Sequence, residues 1–169
     1  MAQQAVMAAE AHGSAAISQF LTFLLGAEQY GVAILKVQEI RGYSAVTPIP
    51  NTPAHIKGVI NLRGTVVPVV DLRAKFSMET TEYNKFTVII VLTVGEKVIG
   101  LVVDAVSDVL DIPAAEMRQV PDLGARVDTR FISGMATIGE RMTVLLDIDR
   151  LLSEDEIVAR ESLDVEGEN

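Results

Sequence analysis

Cysteine and histidine, two residue types that often catalyse reactions or bind metal ions, are scarce in this sequence. The chain has no cysteine and only two histidines, His12 and His55, which excludes thiol catalysis, a disulfide framework and a zinc site. His55 has no acid or serine beside it, so a surface loop is a better interpretation than a general base. Asp104, Asp108 and Asp111 lack the glycine bend and terminal glutamate of a calcium loop, so we expect them to face solvent. Since a Walker loop and a G-x-G-x-x-G fingerprint are also missing, the sequence predicts no enzyme, no cofactor and no metal site.

The most distinctive stretch is 56–71, in which glycines flank a polar tip. Asn61, Leu62 and Arg63 followed by Gly64 have the composition of a turn, because glycine tolerates positive φ and asparagine can bond to its own backbone. The run 65–70 is rich in β-branched residues and predicts a strand. Pro68 within it predicts an edge strand or a bulge.

Glu39 and Arg63 are the charged residues of most interest, because each lies next to apolar side chains. Such a mixture is typical of a protein interface, with an apolar centre and charges that set the register. From the sequence alone, two ordinary solvated surface charges are an equally good interpretation.

Charge is unevenly distributed along the chain. Of the net charge of −9, the segment 153–169 carries −6, whereas 36–75 has six basic residues against two acidic ones. The basic segment predicts attraction of an acidic protein partner. Nucleic acid is a weaker prediction, because the basic residues are scattered and aromatic residues are few.

Turn residues and apolar alternation predict two hairpins, 19–25 with 30–34 and 87–94 with 98–105. Between them, 35–40 has helix-like spacing over a single turn, and 42–47 predicts a further strand. Pro48, Pro50 and Pro53 then predict an extended crossing to Ile56.

The second half of the chain repeats the first. The two halves align with a shift of 69 residues in the hairpins and 76 residues later. Equivalent pairs include Phe20 and Ile89, Gly26 and Gly95, Gly31 and Gly100, Glu39 and Asp108, Gly58 and Gly134, and Asp71 and Asp147. The pattern indicates a diverged duplication.

About five short strands in each copy, with single helical turns, predict an all-β fold of two five-stranded barrels side by side. The alternative is one mixed sheet with coincidental self-similarity. We predict a flexible arm at 1–18, barrel lobes at 19–80 and 81–152, and a short helix with an acidic tail at 153–169, where Ser153 and Glu156 form a capping box. The arm lacks the features of a signal peptide, and no apolar run is long enough to span a bilayer.

Four segments carry a resemblance to a known family. They are YGVAILKVQEIRG at 30–42, NTPAHIKGVINLRG at 51–64, VPVVDL at 67–72 and GLVVDAVSDVL at 100–110. They resemble the CheW family of bacterial chemotaxis coupling proteins, over roughly residues 20–152 and a CheW-like domain of about 19–155. The resemblance implies two SH3-like barrels and a non-catalytic cytoplasmic adaptor, recruited to receptor arrays at the membrane without inserting into it.

The resemblance also implies partners and a site. The partners are the cytoplasmic tip of methyl-accepting chemotaxis receptors, the regulatory domain of the histidine kinase CheA, and other copies of the chain in array rings. The receptor groove would involve Val37, Glu39, Ile40, Lys57, Gly58, Asn61, Leu62 and Arg63. Arg118 and Leu123 would lie in a second, ring-closing contact, and Leu123 stands where the family can have a larger aromatic residue. We further predict that Glu39 and Arg63 meet across the mouth of the groove.

Two other functions stay open at this point. Small barrels often bind nucleic acid or oligosaccharide, which is the main alternative to the adaptor. An enzyme assembled from scattered acidic residues is a second alternative, and it would need bound metal.

Overall fold

The computed structural model describes residues 17–79, 82–119 and 129–152. Its strands are β1 Ile17–Leu25, β2 Glu28–Ala33, β3 Val37–Gly42, β4 Ile56–Leu62, β5 Thr65–Asp71, β6 Val88–Val94, β7 Lys97–Val103, β8 Ala105–Pro113, β9 Ile132–Ile138 and β10 Arg141–Leu146. Among these residues, helical structure is limited to the single turn α1 Leu72–Lys75, three 3-10 turns (Ile34–Lys36, Ala114–Glu116 and Thr129–Phe131), and a helix whose described part is 148–152. No helix among the described residues has the length and apolarity needed to cross a membrane.

The strands form two five-stranded sheets. Sheet A has the order β8-β1-β2-β10-β9 and sheet B the order β3-β6-β7-β5-β4. Each sheet therefore takes strands from both halves of the chain, and the lobes are not the contiguous segments 19–80 and 81–152. The first half leaves sheet A for sheet B at the turn Ile34–Lys36, and the second half leaves sheet B for sheet A between β7 and β8.

The two sheets repeat the same arrangement with the copies exchanged. In each, the hairpin of one copy lies between the third and fifth strands of the other, and its second strand runs parallel to that fifth strand. Gly31 pairs with Leu145 in sheet A, and its equivalent Gly100 pairs with Val69 in sheet B. A Cβ on Gly31 would lie 3.0 Å from a Leu145 methyl, so the shared glycine permits close packing. The topology agrees with a duplicated chain.

Each sheet is curved, and a short backbone bridge between its two edges closes it into a barrel. After β3 the backbone reaches the opposite edge of sheet B, where Thr47 and Val59 exchange hydrogen bonds of 2.9 and 2.8 Å. Arg118 and Met135 do the same in sheet A, at 2.9 and 2.8 Å. The predicted fold class, all-β with two five-stranded barrels, is confirmed, and we call them barrel A and barrel B after their sheets.

Alternate residues of the central strands pack on opposite sides. Ile90 and Leu92 join the large core shared by the two sheets, whereas Ile89 and Val91 fill the interior of barrel B. The continuous apolar run of β6 therefore reflects a strand that is covered on both faces, as its sequence predicted.

Two local predictions in the first half were wrong. Of the helix-like segment 35–40, only the 3-10 turn Ile34–Lys36 is helical, and Val37 begins β3. The predicted strand 42–47 is reduced to the isolated bridge at Thr47. Runs this short do not distinguish a turn from a strand by periodicity alone.

Strand β5 is not an edge strand, because it lies between β7 and β4. Pro68 has no N–H to donate to the ladder, but its partner Val59 does not need one. The N–H and C=O of Val59 both form hydrogen bonds with Thr47 instead. Parallel pairing with β7 begins at the next residue, Val69.

The chain ends also differ from the predicted boundaries. Ile17 already belongs to β1, so the arm is shorter than 1–18. The C-terminal helix begins at residue 148, before the predicted start at 153. The Asp147 side chain accepts a hydrogen bond from the Arg150 N–H at 3.2 Å. Asp147 therefore caps this helix, and the predicted capping box of Ser153 and Glu156 lies outside the described residues. The arm before Ile17 and the tail after Leu152 lie outside the described residues.

Candidate functional site

The tip predicted from the sequence is a two-residue hairpin turn between β4 and β5. Leu62 pairs with Thr65, and the loop residues Arg63 and Gly64 have φ of 52° and 88°. Two positive φ values are the signature of a type I′ turn, whose twist matches that of the flanking strands. The Asn61 side-chain oxygen accepts the Gly64 N–H at 2.8 Å, as its composition predicted. The turn thus holds Arg63 outward at the end of barrel B.

Glu39 and Arg63 form an ion pair across the closure of barrel B. Arg63 Nη2 lies 2.5 Å from Glu39 Oε2, with the side chains 67% and 28% exposed respectively. Their strands stand at opposite edges of sheet B, which would lie about 19 Å apart in a flat five-stranded sheet. Glu39 is paired in register with Val91 of the barrel interior. The ion pair therefore lies at the open end of the barrel, and the predicted contact is present.

The other residues of the predicted site divide into surface and structural positions. Ile40 is 43% exposed, and Lys57 and Asn61 are also exposed. Leu62 is buried in the interior of barrel B. Gly58 has φ of 147°, and a Cβ there would collide with the Thr47 carbonyl. Gly58 and Leu62 shape the site without contributing accessible side-chain surface.

Val37 and Ile40 lie beside the core between the barrels. Val37 packs against this core, and Ile40 pairs with the core residue Ile90. Two exposed apolar residues near the site were not singled out from the sequence: Leu35, 93% exposed in the turn before β3, and Val66, 55% exposed opposite Asn61. Leu35 lies between Ile34 and Lys36 in the turn before β3, and no periodicity in the sequence there indicated that its side chain would be exposed.

The basic segment 36–75 is not a free cationic surface. Besides Arg63, Lys36 pairs with Asp149 at 3.0 Å, and Lys57 lies 5.2 Å from the Tyr83 ring centre. Arg73 holds Asp104 through both carboxylate oxygens, at 2.8 and 2.6 Å. Asp149 and Asp104, from later in the chain, therefore neutralise two of the cations that the sequence predicted to attract an acidic partner.

Asp104 does not simply face solvent, as the sequence analysis expected. Its carboxylate also accepts the Gly26 N–H at 2.7 Å. Burial alone would raise its pKa, but the hydrogen bonds from Arg73 and Gly26 and the charge of Arg73 outweigh burial and lower the pKa of Asp104. This carboxylate ties the β1–β2 turn of sheet A to α1 beside sheet B.

A second polar cluster lies around Asp71. The Tyr83 hydroxyl donates to Asp71 Oδ2 at 2.5 Å, while Asp71 Oδ1 accepts the N–H of Arg73 at 2.9 Å. Burial, followed by the hydrogen bond and charge of Asp71, raises the pKa of Tyr83. The ring of Tyr83 packs at a centroid distance of 4.2 Å on Tyr43.

Residues predicted for other roles are placed as follows. Arg118 is exposed at the bridge that closes barrel A, and Leu123 lies outside the described residues. His55 is half-buried, and burial together with the charge of Lys75 lowers its pKa. Within 17–79, 82–119 and 129–152, no three His, Asp or Glu side chains are grouped to hold a metal ion.

Comparisons with known proteins match most of the chain. The model of the CheW-like domain matches residues 19–156. The chain is 52% identical over 139 residues to the chemotaxis protein CheW of Klebsiella aerogenes, with 82% of this chain and 84% of the relative covered. It is 31% identical to the protein FrzA of Myxococcus xanthus, with 90% of this chain and 94% of the relative covered. The crystal structure of the scaffolding protein TtCheW from Thermoanaerobacter tengcongensis superposes with a TM-score of 0.75 at 32% identity, covering 81% and 88%.

Proposed function

The chain belongs to the CheW family, and from that premise we propose that it is a non-catalytic adaptor coupling methyl-accepting chemotaxis receptors to the histidine kinase CheA. It would act at the cytoplasmic tips of the receptors, where it contacts the receptor hairpin and the regulatory domain of the kinase. The observation that carries the assignment is the coincidence of the family match with an exposed charged and apolar surface on barrel B.

We assign the receptor contact to the surface around the Glu39–Arg63 pair. Ile40 and Val37 supply apolar area at the flank of the core, and Lys57 and Asn61 supply polar groups on β4. Leu62 and Gly58 support this surface from below. A small apolar centre bordered by charges is the usual anatomy of a specific interface. The ring-closing contact is assigned to the region of Arg118 and Leu123.

The Glu39–Arg63 pair gives this surface its specificity. In the free protein Arg63 is mostly solvated and Glu39 is partly buried, and an ion pair at the surface contributes only about 0–1 kcal/mol to folding. In a complex the same groups become desolvated, and Arg63 presents a fork of donors to partner carboxylates or carbonyls. The pair therefore matters more for binding than for stability.

Binding of nucleic acid is a weaker proposal than it was from the sequence. Affinity for phosphate comes from cations that are free to neutralise it. Lys36, Arg63 and Arg73 are each already held by a carboxylate of this chain.

Co-sedimentation with receptor-bearing vesicles tests the proposed function. The protein should pellet with vesicles that carry a chemotaxis receptor and CheA, and should remain in the supernatant with receptor-free vesicles of the same lipids. Equal recovery with both kinds of vesicle would point to a lipid interaction, and recovery with neither would refute the proposed role.

A further inference from the structure

The two barrels differ at one corresponding place, which is the end of each barrel where its fifth strand finishes. In barrel B this is the end at Asp71, opposite the Arg63 turn that precedes β5. In barrel A, Ala33, Asp147 and Asp149 line a cavity of about 280 Å³. The equivalents of these residues, Val102, Asp71 and Arg73, line a cavity of about 130 Å³ in barrel B. The two cavities share these three equivalent positions, and their other lining residues differ.

In barrel B a tyrosine of the same chain occupies this end. Tyr83 comes from the loop before β6, and its hydroxyl donates to Asp71 Oδ2 at 2.5 Å. Its ring packs on Tyr43 and on the apolar interior of the barrel. Tyr83 therefore acts as an internal plug that is apolar along its ring and hydrogen-bonded at its tip.

In the sequence repeat, smaller residues of the other copy align with the two tyrosines of barrel B. The equivalent of Tyr43 is Ile112, and the equivalent of Tyr83 is Ser14. Residues 1–16 contain no tyrosine, phenylalanine or tryptophan. The cavity in barrel A is larger by about 150 Å³, on the order of a cavity that accommodates benzene.

The carboxylate of Asp147, which lines this cavity, is arranged like that of Asp71. Asp147 Oδ1 accepts the Arg150 N–H at 3.2 Å, as Asp71 Oδ1 accepts that of Arg73. Oδ2, which in Asp71 accepts the tyrosine hydroxyl, forms an exposed ion pair with Arg150 Nε at 3.7 Å, a distance beyond hydrogen-bond length. Asp149 at the rim is neutralised by Lys36.

We propose that this cavity, the Asp147 pocket, binds a tyrosine side chain presented by a partner protein, with the tyrosine hydroxyl donating to Asp147. Its apolar lining consists of Phe20, Ala33, Met117, Leu146 and Ile148. The nearly fully exposed Leu35, adjacent to the lining residue Lys36, extends the apolar contact outside the pocket. The pocket is lined by none of the residues assigned to the Glu39–Arg63 surface, and it is argued from the internal repeat, so it goes beyond the proposed function.

Titration of the full chain with 4-methylphenol, followed by NMR of side-chain methyl groups, tests the pocket directly. The methyl signals of Met117, Leu146 and Ile148 should shift together and saturate. The ether 4-methylanisole has the same ring without a donor and should bind at least about tenfold more weakly, because a hydrogen bond to a charged group is lost. Asp147→Asn should produce a similar loss while its side-chain oxygen still caps the helix.

The equivalent pocket supplies the positive control. Tyr83→Ala should open barrel B and add a second 4-methylphenol site, detected at the methyls of Val102. The proposal is wrong if the wild-type methyls of barrel A do not respond, or if 4-methylphenol and 4-methylanisole bind equally. The ether comparison requires no variant, so it decides the question even if a variant fails to fold.

Two further measurements identify other occupants. If deletion of residues 1–14 tightens 4-methylphenol binding, the chain's own N-terminal segment fills the pocket. If sedimentation shows a dimer whose formation abolishes 4-methylphenol binding, a second copy fills it. Either result would overturn the assignment to a partner's tyrosine.

Discussion

Arg73 and Asp104 form a two-pronged ion pair, with Nε to Oδ1 at 2.8 Å and Nη2 to Oδ2 at 2.6 Å. Asp104 lies between β7 and β8, at the point where the second half passes from sheet B to sheet A. Because Asp104 also accepts the Gly26 N–H, one carboxylate joins the helix after β5 to the β1–β2 turn. Side-chain contacts therefore stabilise the exchange of strands between the two halves, in addition to the backbone hydrogen bonds of the sheets.

Replacing Asp104 with asparagine should destabilise the fold. The amide keeps the shape but loses the charge that Arg73 binds, and one oxygen becomes a donor that faces another donor. We expect a loss of about 1–3 kcal/mol in the free energy of unfolding, measured by urea denaturation. Asp108→Asn is the matched control, because Asp108 is exposed, and it should change stability by less than about 0.5 kcal/mol. Equal effects of the two substitutions would contradict the structural role of Asp104.

The advantage of wild type over Asp104→Asn should depend on pH. The pKa of Asp104 is lowered in the folded state, so its contribution is complete above the unfolded-state value of about 3.9. That contribution is lost as pH falls through the lowered folded value, because the carboxylate is then protonated in both states. Urea denaturation of both proteins at pH 7, 4 and 2.5 should show the difference shrinking. A difference that grew towards acid would reverse the assigned sign.

Gly58 should tolerate no side chain. It has φ of 147°, and an added Cβ would meet the Thr47 carbonyl and Pro48 Cα, which are backbone atoms that cannot rotate away. Gly58→Ala should therefore cost at least about 2 kcal/mol of stability and loosen the closure of barrel B. Gly42→Ala, at the end of β3 with no atom within 4 Å of the added Cβ, should be nearly neutral in the same thermal melts. Similar melting temperatures for both variants would show that the closure is not tightly packed.

Much of the fold could be predicted because it depends on local chemistry. The hairpins follow from β-branched alternation ended by Gly26 and Gly95, both of which have positive φ. The exchange of hairpins could not be predicted, because the strands of the two copies are alike and each third strand can pair with either first strand. The segment 35–40 was assigned to a helical turn, whereas the turn ends at Lys36, so the start of β3 at Val37 was missed.

The candidate site was predicted in part for the same reasons. The Arg63 turn depends on neighbours in sequence, whereas Arg73 and Asp104 are 31 residues apart and their pairing depends on the tertiary fold. Because these ion pairs join residues that are distant in sequence, the sequence did not predict that cations of the segment 36–75 are neutralised. The equivalence of Asp71 and Asp147 was visible in the sequence, but the presence of a tyrosine beside only one of them became clear in three dimensions.

Exchange of the charges of Glu39 and Arg63 tests whether their pairing matters in itself. Glu39→Arg alone places two cations together at the end of barrel B and should weaken receptor coupling strongly. Combining it with Arg63→Asp restores an opposite-charge pair and should recover part of the loss, measured as receptor-dependent kinase activity. If the double variant loses as much as the two single variants combined, the residues contact the partners separately.

The receptor-to-kinase role is tested most directly by kinase autophosphorylation in assemblies of receptor, CheA and this protein, comparing wild type with Arg63→Asp. Stability should change by no more than about 0.5 kcal/mol, because Arg63 is exposed and aspartate accepts the positive φ of 52° better than arginine. Binding should lose about 2–5 kcal/mol, so the variant should fail to activate the kinase at concentrations that saturate the wild type. Arg141→Asp, beside the equivalent β9–β10 turn of barrel A, should activate normally. A folded Arg63→Asp protein that activates the kinase as well as the wild type would contradict the account.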